Sequence, residues 1–270
     1  MNNQGGGLPQ GNPILEYYNN WSASTPFITR SACMAVAALY LLSWVIDLSQ
    51  ALSNVPYYSI NHLEVYRLIF SPLYTTSLLS VVFIMMSFSG TGRQLEQAFG
   101  SASLLALMFT ISVGTNVAFV VLCFLLAALG TPEAMFYSCG TFWIIFMGLV
   151  VIESMNSGTE SRKLLFLPVQ IPIKFYPLAL YGFFMLFTGF RLDTLLALGI
   201  GYLYAWGYLK FLEPSRSRLE GWEVGCLSGM VQRVGFITSS SAVGATAWLP
   251  VNNPSGHPSG GGGGGLAGLL

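Results

Sequence analysis

Charge is what this sequence has least of. Of its 270 residues only 8% are Asp, Glu, Lys or Arg, against about 25% in an ordinary soluble domain. Hydrophobic residues make up 53%, and mean hydropathy is +0.62. That excludes a water-soluble globular chain and implies a polytopic membrane protein. Eleven basic residues balance 11 acidic ones, so no net field draws nucleic acid to the surface, and a nucleic-acid role is excluded. Histidine is nearly absent, with His62 and His257 alone. The four cysteines, Cys33, Cys123, Cys139 and Cys226, show no CxxC spacing paired with histidines. A structural zinc site is thereby excluded; no metal or other cofactor is implied, and the cysteines read as free thiols.

Also missing is a basic leader with a small-residue cleavage site, since the first thirty residues are rich in Gly, Asn and Gln. No cleaved signal peptide is expected, and the first apolar segment serves as an internal signal. From Asn252 the chain turns to Pro, Ser and Gly and ends GGGGGGLAGLL, a composition that cannot bury enough apolar surface to offset ordering entropy. The expected organisation is a flexible N-tail over 1–30, a membrane domain over 31–213, a segment over 214–251 and a disordered tail over 252–270.

Six apolar segments stand out: Ala32 to Leu48, Tyr74 to Phe88, Ala102 to Leu129, Tyr137 to Ile152, Tyr176 to Phe190 and Leu195 to Leu212. Helix is the spanning structure open to them, because lipid offers exposed backbone no partner and no alternating barrel strands occur. The expectation is an all-α bundle of six transmembrane helices. With six spans, one side holds Arg30, Arg93, Arg162, Lys163, Lys174, Lys210, Arg216, Arg218 and Arg233, and the other only Arg67 and Arg191. Nine against two places both termini in the cytosol, which leaves the Asn20-Trp21-Ser22 sequon unglycosylated. The second, fourth and fifth segments are 15 or 16 residues long, where about 20 are needed to cross roughly 30 Å of hydrocarbon. They must be sheltered inside the bundle or thin the bilayer around them, unless the segments extend further than charge scarcity alone marks.

Two connecting stretches are not ordinary loops. Ser49 to Leu73 is aromatic, aliphatic and long, and carries His62, Glu64 and Arg67; it is expected in the lumenal leaflet as short amphipathic helices. In Gly221 to Phe236, Trp222, Cys226, Met230 and Val234 recur every four residues. That spacing predicts a short amphipathic helix for the membrane surface or a partner's groove, with Trp222 and Met230 as the partner-binding candidates. Gly225 and Gly229 weaken it, and an irregular packed segment is the alternative.

Several strings resemble one family. Glu64-Val65-Tyr66-Arg67-Leu68-Ile69-Phe70-Ser71-Pro72 is similar to the Arg-Leu segment that leads rhomboid proteins into their second helix. Gly92 to Ser101, with Leu95-Glu96 and Phe99-Gly100-Ser101, looks like that family's Gly, Leu-Glu, Phe-Gly-Ser signature. Leu167 to Pro177, with Pro172, resembles the Pro-rich approach to the fifth helix, and Ala197-x-x-x-Gly201-Tyr202-Leu203 the small-residue face of the sixth. Physical readings stand beside these. Arg67 needs a counter-charge or carbonyls at a helix rim; Glu96 and Arg93 pin the second loop by local hydrogen bonds, or Glu96 is a solvated loop charge. Ala197 and Gly201 let two helices approach closely.

Rhomboid proteases resemble one another in a Gly-x-Ser-Gly serine heading the fourth helix and a histidine on the sixth. Here Tyr137-Ser138-Cys139-Gly140 stands at the first place, and the histidine position falls at or near Thr194. Without a base or a nearby cation a hydroxyl or thiol is a poor nucleophile, and burial makes a thiol poorer. His257 lies in the tail and His62 in the first loop, where it reads as an interfacial histidine and, less plainly, as a partner for Cys139. Asp193 reads as a helix cap rather than a base. No catalytic residue is therefore expected, and Cys139 reads as a packed thiol.

The resemblance implies an inactive rhomboid-like protein of the endoplasmic reticulum or another endomembrane, similar to derlins and ubiquitin-associated-domain rhomboid-like proteins. Its implied partners are membrane lipids, transmembrane clients and cytosolic degradation or trafficking factors. No ubiquitin-associated domain and no C-terminal hexapeptide for an AAA ATPase is recognisable in this sequence. The alternatives are an intramembrane protease with an atypical nucleophile and a small transporter, for which Gly114 and Asn116 in the third segment are the candidates.

Overall fold

Uninterrupted apolar runs with few prolines dictate helix, and helices carry this structure. The computed structural model describes residues 12–75, 77–157, 161–163 and 170–242. In chain order the helices are α1 (Pro13–Ser24), α2 (Phe27–Leu42), α3 (Leu48–Leu52), α4 (Pro56–Asn61), α5 (Tyr66–Phe70), α6 (Leu78–Phe99), α7 (Ser101–Ala128) and α8 (Phe142–Asn156). After a two-stranded ribbon, β1 (Ser161–Lys163) and β2 (Gln170–Pro172), follow α9 (Tyr176–Thr188), α10 (Leu192–Ala205), α11 (Arg216–Val224) and α12 (Ser228–Val231). Among the described residues two helices, α6 and α7, are long and apolar enough to cross a membrane, while α2, α8, α9 and α10 are apolar but shorter.

Each expected segment is present, with boundaries moved for identifiable reasons. The first helix starts at Phe27 rather than Ala32 and stops at Leu42 rather than Leu48. It stops early because Asp47 accepts from Ser49 N–H (3.0 Å) and starts α3 instead. The second runs to Phe99, through Gly90 and Gly92, which local propensity disfavours. Tertiary packing overrides that preference: a Cβ on Gly92 would lie 2.8 Å from Thr29 Cγ2, so α2 and α6 touch at this glycine. The fourth begins at Phe142, not Tyr137, because Gly140 at φ +143 still turns the chain. The sixth ends at Ala205, well before Leu212, where Trp206 and Gly207 (φ +86) break it.

Helix α8 is the axis of the core. Phe142, Ile144, Met147, Leu149, Val151 and Ile152 are all buried on it, as expected of a helix that is apolar all round. At about 1.5 Å per residue its 15 residues reach about 22 Å, so it is sheltered by its neighbours rather than exposed along its length. Small residues let neighbouring helices pack closely on it. Gly201 on α10 does this: a Cβ there would stand 2.9 Å from the Gly148 carbonyl oxygen and 3.0 Å from Val151 Cβ. Ala197, one turn earlier, is fully buried.

Three corrections concern the ends and the fold class. Residues 13–24 of the expected flexible tail form α1, and Arg30 donates to the Ser22 carbonyl (2.9 Å) and hydroxyl (2.8 Å) on it. The expectation of an all-α chain misses the ribbon, in which Arg162 pairs with Ile171 and Ser161 with Pro172. Pro172 thus ends a strand, and Pro177 is the proline in the first turn of α9. The expected helix over Gly221–Phe236 is instead two short ones broken at Gly225. The buried residues there are Leu219, Glu223 and Leu227, with Leu219 and Leu227 packed on Ala102. Trp222, Met230 and Val234 face outward. The expected disordered tail, 252–270, and His257 with it lie outside the described residues.

Candidate functional site

Two polar clusters organise the bundle, one at each end. At the end that gathers the N-terminus of α2, the α6–α7 turn and the C-terminal segment, Glu96 is fully buried. Its carboxylate accepts from Ile28 N–H (2.8 Å), Thr29 N–H (2.8 Å), the Thr29 hydroxyl (2.7 Å) and the Ser101 hydroxyl (2.6 Å). Pro26 heads α2 without a side-chain cap, so Glu96 supplies from another helix the acceptor that the first N–H groups need. Glu96 is therefore not a solvated loop charge; its bond from Ser101 does pin the α6–α7 turn locally, as the sequence leads one to expect, but its other three donors come from α2. Arg93 donates to the Ser24 and Thr25 hydroxyls, at 3.0 and 3.3 Å. Between α6 and α7 the chain reverses at Gly100 (φ +92), where a Cβ would be strained and would press on the Ser239 backbone at 3.3 Å.

At the opposite end Arg67, 6% exposed, donates to the Gln50 carbonyl (2.6 Å), the Ser53 carbonyl (2.8 Å) and Glu64, and lies over the rings of Tyr58 and Tyr66. It binds α3, α4 and α5 into one unit. Asn116 fastens that unit to α7. Its amide donates to the Leu68 and Ser112 carbonyls (3.0 Å each), and its oxygen accepts from Asn54 (2.8 Å) and the Ser71 hydroxyl (3.2 Å). Asn116 is thus bonded in full, and Gly114 packs on Ile200 of α10. Asn54 was not singled out from the sequence, although an Asn at 0% exposure beside an Asn within an apolar span signals such a network.

The Tyr137-Ser138-Cys139-Gly140 stretch lies against this unit. Cys139 and Asn54 exchange both backbone hydrogen bonds at 2.8 Å. Gly140 packs on Ser71 so closely that a Cβ would fall 2.9 Å from Ser71 Cβ. Tyr137 and Ser138 are exposed, whereas Cys139 is 1% exposed. Cys139 precedes α8, outside the helix. Burial first, then the Asp193 carboxylate, push its thiol well above the ordinary cysteine range, with Arg191 opposing. Asp193 is ion-paired with Arg191 (2.5 Å) and accepts from Thr194 N–H (2.8 Å). Arg191 itself holds the cap position of α10, so Asp193 acts from the first turn rather than as the cap expected of it.

A cavity of about 120 Å³ opens beside this stretch, lined by Thr75, Ser77, Thr141, Trp143, Arg191 and Thr194 among others. The structure therefore brings the Thr194 end of α10 to the head of α8. Cys139 is not in the cavity wall. No imidazole is in that wall either; His62 is exposed, with its ring 6.2 and 5.8 Å from those of Tyr57 and Tyr58. Among the described residues no three His, Cys, Asp or Glu side chains converge on a metal site. On its far side the cavity meets Phe184 of α9, which contacts Trp143 (centroids 4.5 Å) and Phe83 of α6 (6.0 Å). Beyond that contact a second cleft runs between α6 and α9.

With the geometry in view, known proteins provide a comparison. Residues 30–231, from α2 into α12, match a family described as eukaryotic integral membrane protein (DUF1751). The chain is similar to Rhomboid-like protein 15 of Arabidopsis thaliana, 30% identical over 229 residues, which cover 80% of this chain and 56% of that protein. It thus spans little more than half of that relative's length.

Proposed function

Since this chain belongs to the DUF1751 family of eukaryotic integral membrane proteins and is rhomboid-like, we propose that it is a catalytically inactive six-span rhomboid-like protein that binds transmembrane clients. On this reading α2, α6, α7, α8, α9 and α10 all cross the bilayer. Both termini face the cytosol of an endomembrane, as the uneven distribution of Lys and Arg favours. Clients are passed to quality-control, degradation or trafficking factors, in the manner of derlins. The exposed Trp222 and Met230 are the proposed contacts for such factors.

What supports this reading is the lining of the cavity at the head of α8, where neither Cys139 nor an imidazole stands. A nucleophile needs a base within hydrogen-bond reach and an open face to the substrate. Here the thiol is buried behind the Asn54 bridge, and hydroxyls, aromatic rings, two methionines and Arg191 line the cavity. Such walls bind an apolar segment without cutting it. The Phe83–Phe184 contact is the proposed client gate, because separating those two rings joins the cavity to the lipid between α6 and α9.

The test is a photo-crosslinking amino acid at Phe184, with the exposed Val121 of α7 as the lipid-facing control, in membranes carrying tagged single-span proteins. Adducts at 184 and not at 121, with the single-span proteins intact, are the expected result. Cleavage of a reconstituted membrane substrate that disappears with Cys139→Ala would overturn the inactive reading.

A further inference from the structure

We infer that the cleft between α6 and α9 is a phospholipid site, holding a phosphate headgroup at Arg162 and one acyl chain along Gly90. The cleft measures about 300 Å³, at the lower edge of the roughly 300–1,000 Å³ usual for ligand pockets. Its two ends differ in chemistry. Near the Glu96 end of the bundle stand Arg162, Tyr176 and Thr91; toward the middle the walls are Phe83, Phe146 and Phe184. That polarity matches an amphiphile rather than a wholly apolar guest.

Arg162 is built into position. Its Nη1 donates to Glu153 Oε1 at 2.8 Å, and its guanidinium lies over the Tyr176 ring at 5.1 Å. A guanidinium has five N–H donors, so this pairing fixes its plane and leaves others for a phosphodiester. The length also fits. From Phe83 to Thr91 a helix rises about 12 Å, a little less than the roughly 15 Å depth of one leaflet's hydrocarbon.

Gly90, in the wall of the cleft, leaves room for the acyl chain. It lies within α6, where glycine weakens a helix, yet a Cβ there would meet nothing within 4 Å. The bare backbone there lets an acyl chain lie flat against α6.

The cleft shares its Phe83 and Phe184 wall with the proposed client gate, but its test needs no client and reads lipid alone. The protein is purified in detergent, gel-filtered in excess detergent, and its retained phospholipid phosphorus counted per chain. It is then reloaded with a fluorescent phosphatidylethanolamine. About one retained phospholipid per chain is expected for the native protein. Gly90→Leu sets bulk on the floor from a Cβ that meets no protein atom within 4 Å, so it should abolish retention without lowering thermal stability. Arg162→Ala should weaken reloading about tenfold, the effect of one charge-assisted hydrogen bond. Undiminished retention by Gly90→Leu would overturn the site, and unchanged reloading of Arg162→Ala would overturn the headgroup assignment.

Discussion

Replacing Glu96 by Gln removes one charge and almost no volume, and the structure gives the cost. Four donors at 2.6–2.8 Å converge on a carboxylate with 0% exposure. The Thr29 and Ser101 hydroxyls can rotate to accept from an amide, but the N–H groups of Ile28 and Thr29 can only donate. One of them faces the new NH2 group and goes unmet, at about 1–3 kcal/mol. Losing the negative charge at the N-terminus of α2 adds about 0.3–1 kcal/mol, and the weakening of the surviving charge-assisted bonds brings the total to about 3 kcal/mol. For a chain of this size that lowers the apparent Tm by about 6–12 °C, read by tryptophan fluorescence in detergent at one scan rate. Glu96→Ala, with both N–H groups stranded, should cost about 5 kcal/mol. Glu64→Gln is the control: Glu64 is partly exposed, and Arg67 keeps its two carbonyls, so the loss stays below about 1 kcal/mol. A Glu96→Gln shift of less than about 2 °C would refute the inter-helix cap.

Three further outcomes follow from the packing. Gly201→Leu must drive α10 off the Gly148 backbone and should cost about 3 kcal/mol, seen as aggregation or early melting on size-exclusion after heating. Asn116→Leu strands the Asn54 amide and should loosen α3–α5 by about 2–3 kcal/mol, detected as faster limited proteolysis within 44–66 while the other helices stay protected. A maleimide added to the folded protein should label the exposed Cys226 and spare Cys33, Cys123 and Cys139; labelling of Cys139 would show that the Asn54 bridge is open.

The sequence made legible what is local. Charge scarcity marked all six apolar helices, the aromatic first connection fell into short helices, and Arg67 was seen to require carbonyls. What escaped it depends on partners far along the chain. Glu96 meets residues 67 and 68 positions away, and the missing cap before Phe27, behind Thr25-Pro26, was the local sign that an acceptor had to come from elsewhere. At the candidate site the Tyr137-Ser138-Cys139-Gly140 string was located at the head of α8. That Ser138 faces outward and Cys139 inward follows from the Asn54 bridge and Gly140's close approach to Ser71, which no spacing within the string reveals. The stripe Trp222, Cys226, Met230 was periodic, but the periodicity marks the outer face, because Leu219 and Leu227 hold the inner one.

The C-terminal segment closes back on the beginning of the bundle. Gly235 takes the N–H of Phe27 (2.9 Å), Val234 takes Arg30 (3.0 Å), Ile237 exchanges hydrogen bonds with Ser101, and Ser239 reaches the buried Glu223. The start of the first long helix is therefore completed by residues that leave the ribosome after the last one. A chain cut after residue 213 would release an N-terminus half capped, and a nascent chain would keep that end unfinished until synthesis passes residue 239. The stretch that sequence composition sets apart as a separate tail is, in assembly, the final strap of the membrane unit.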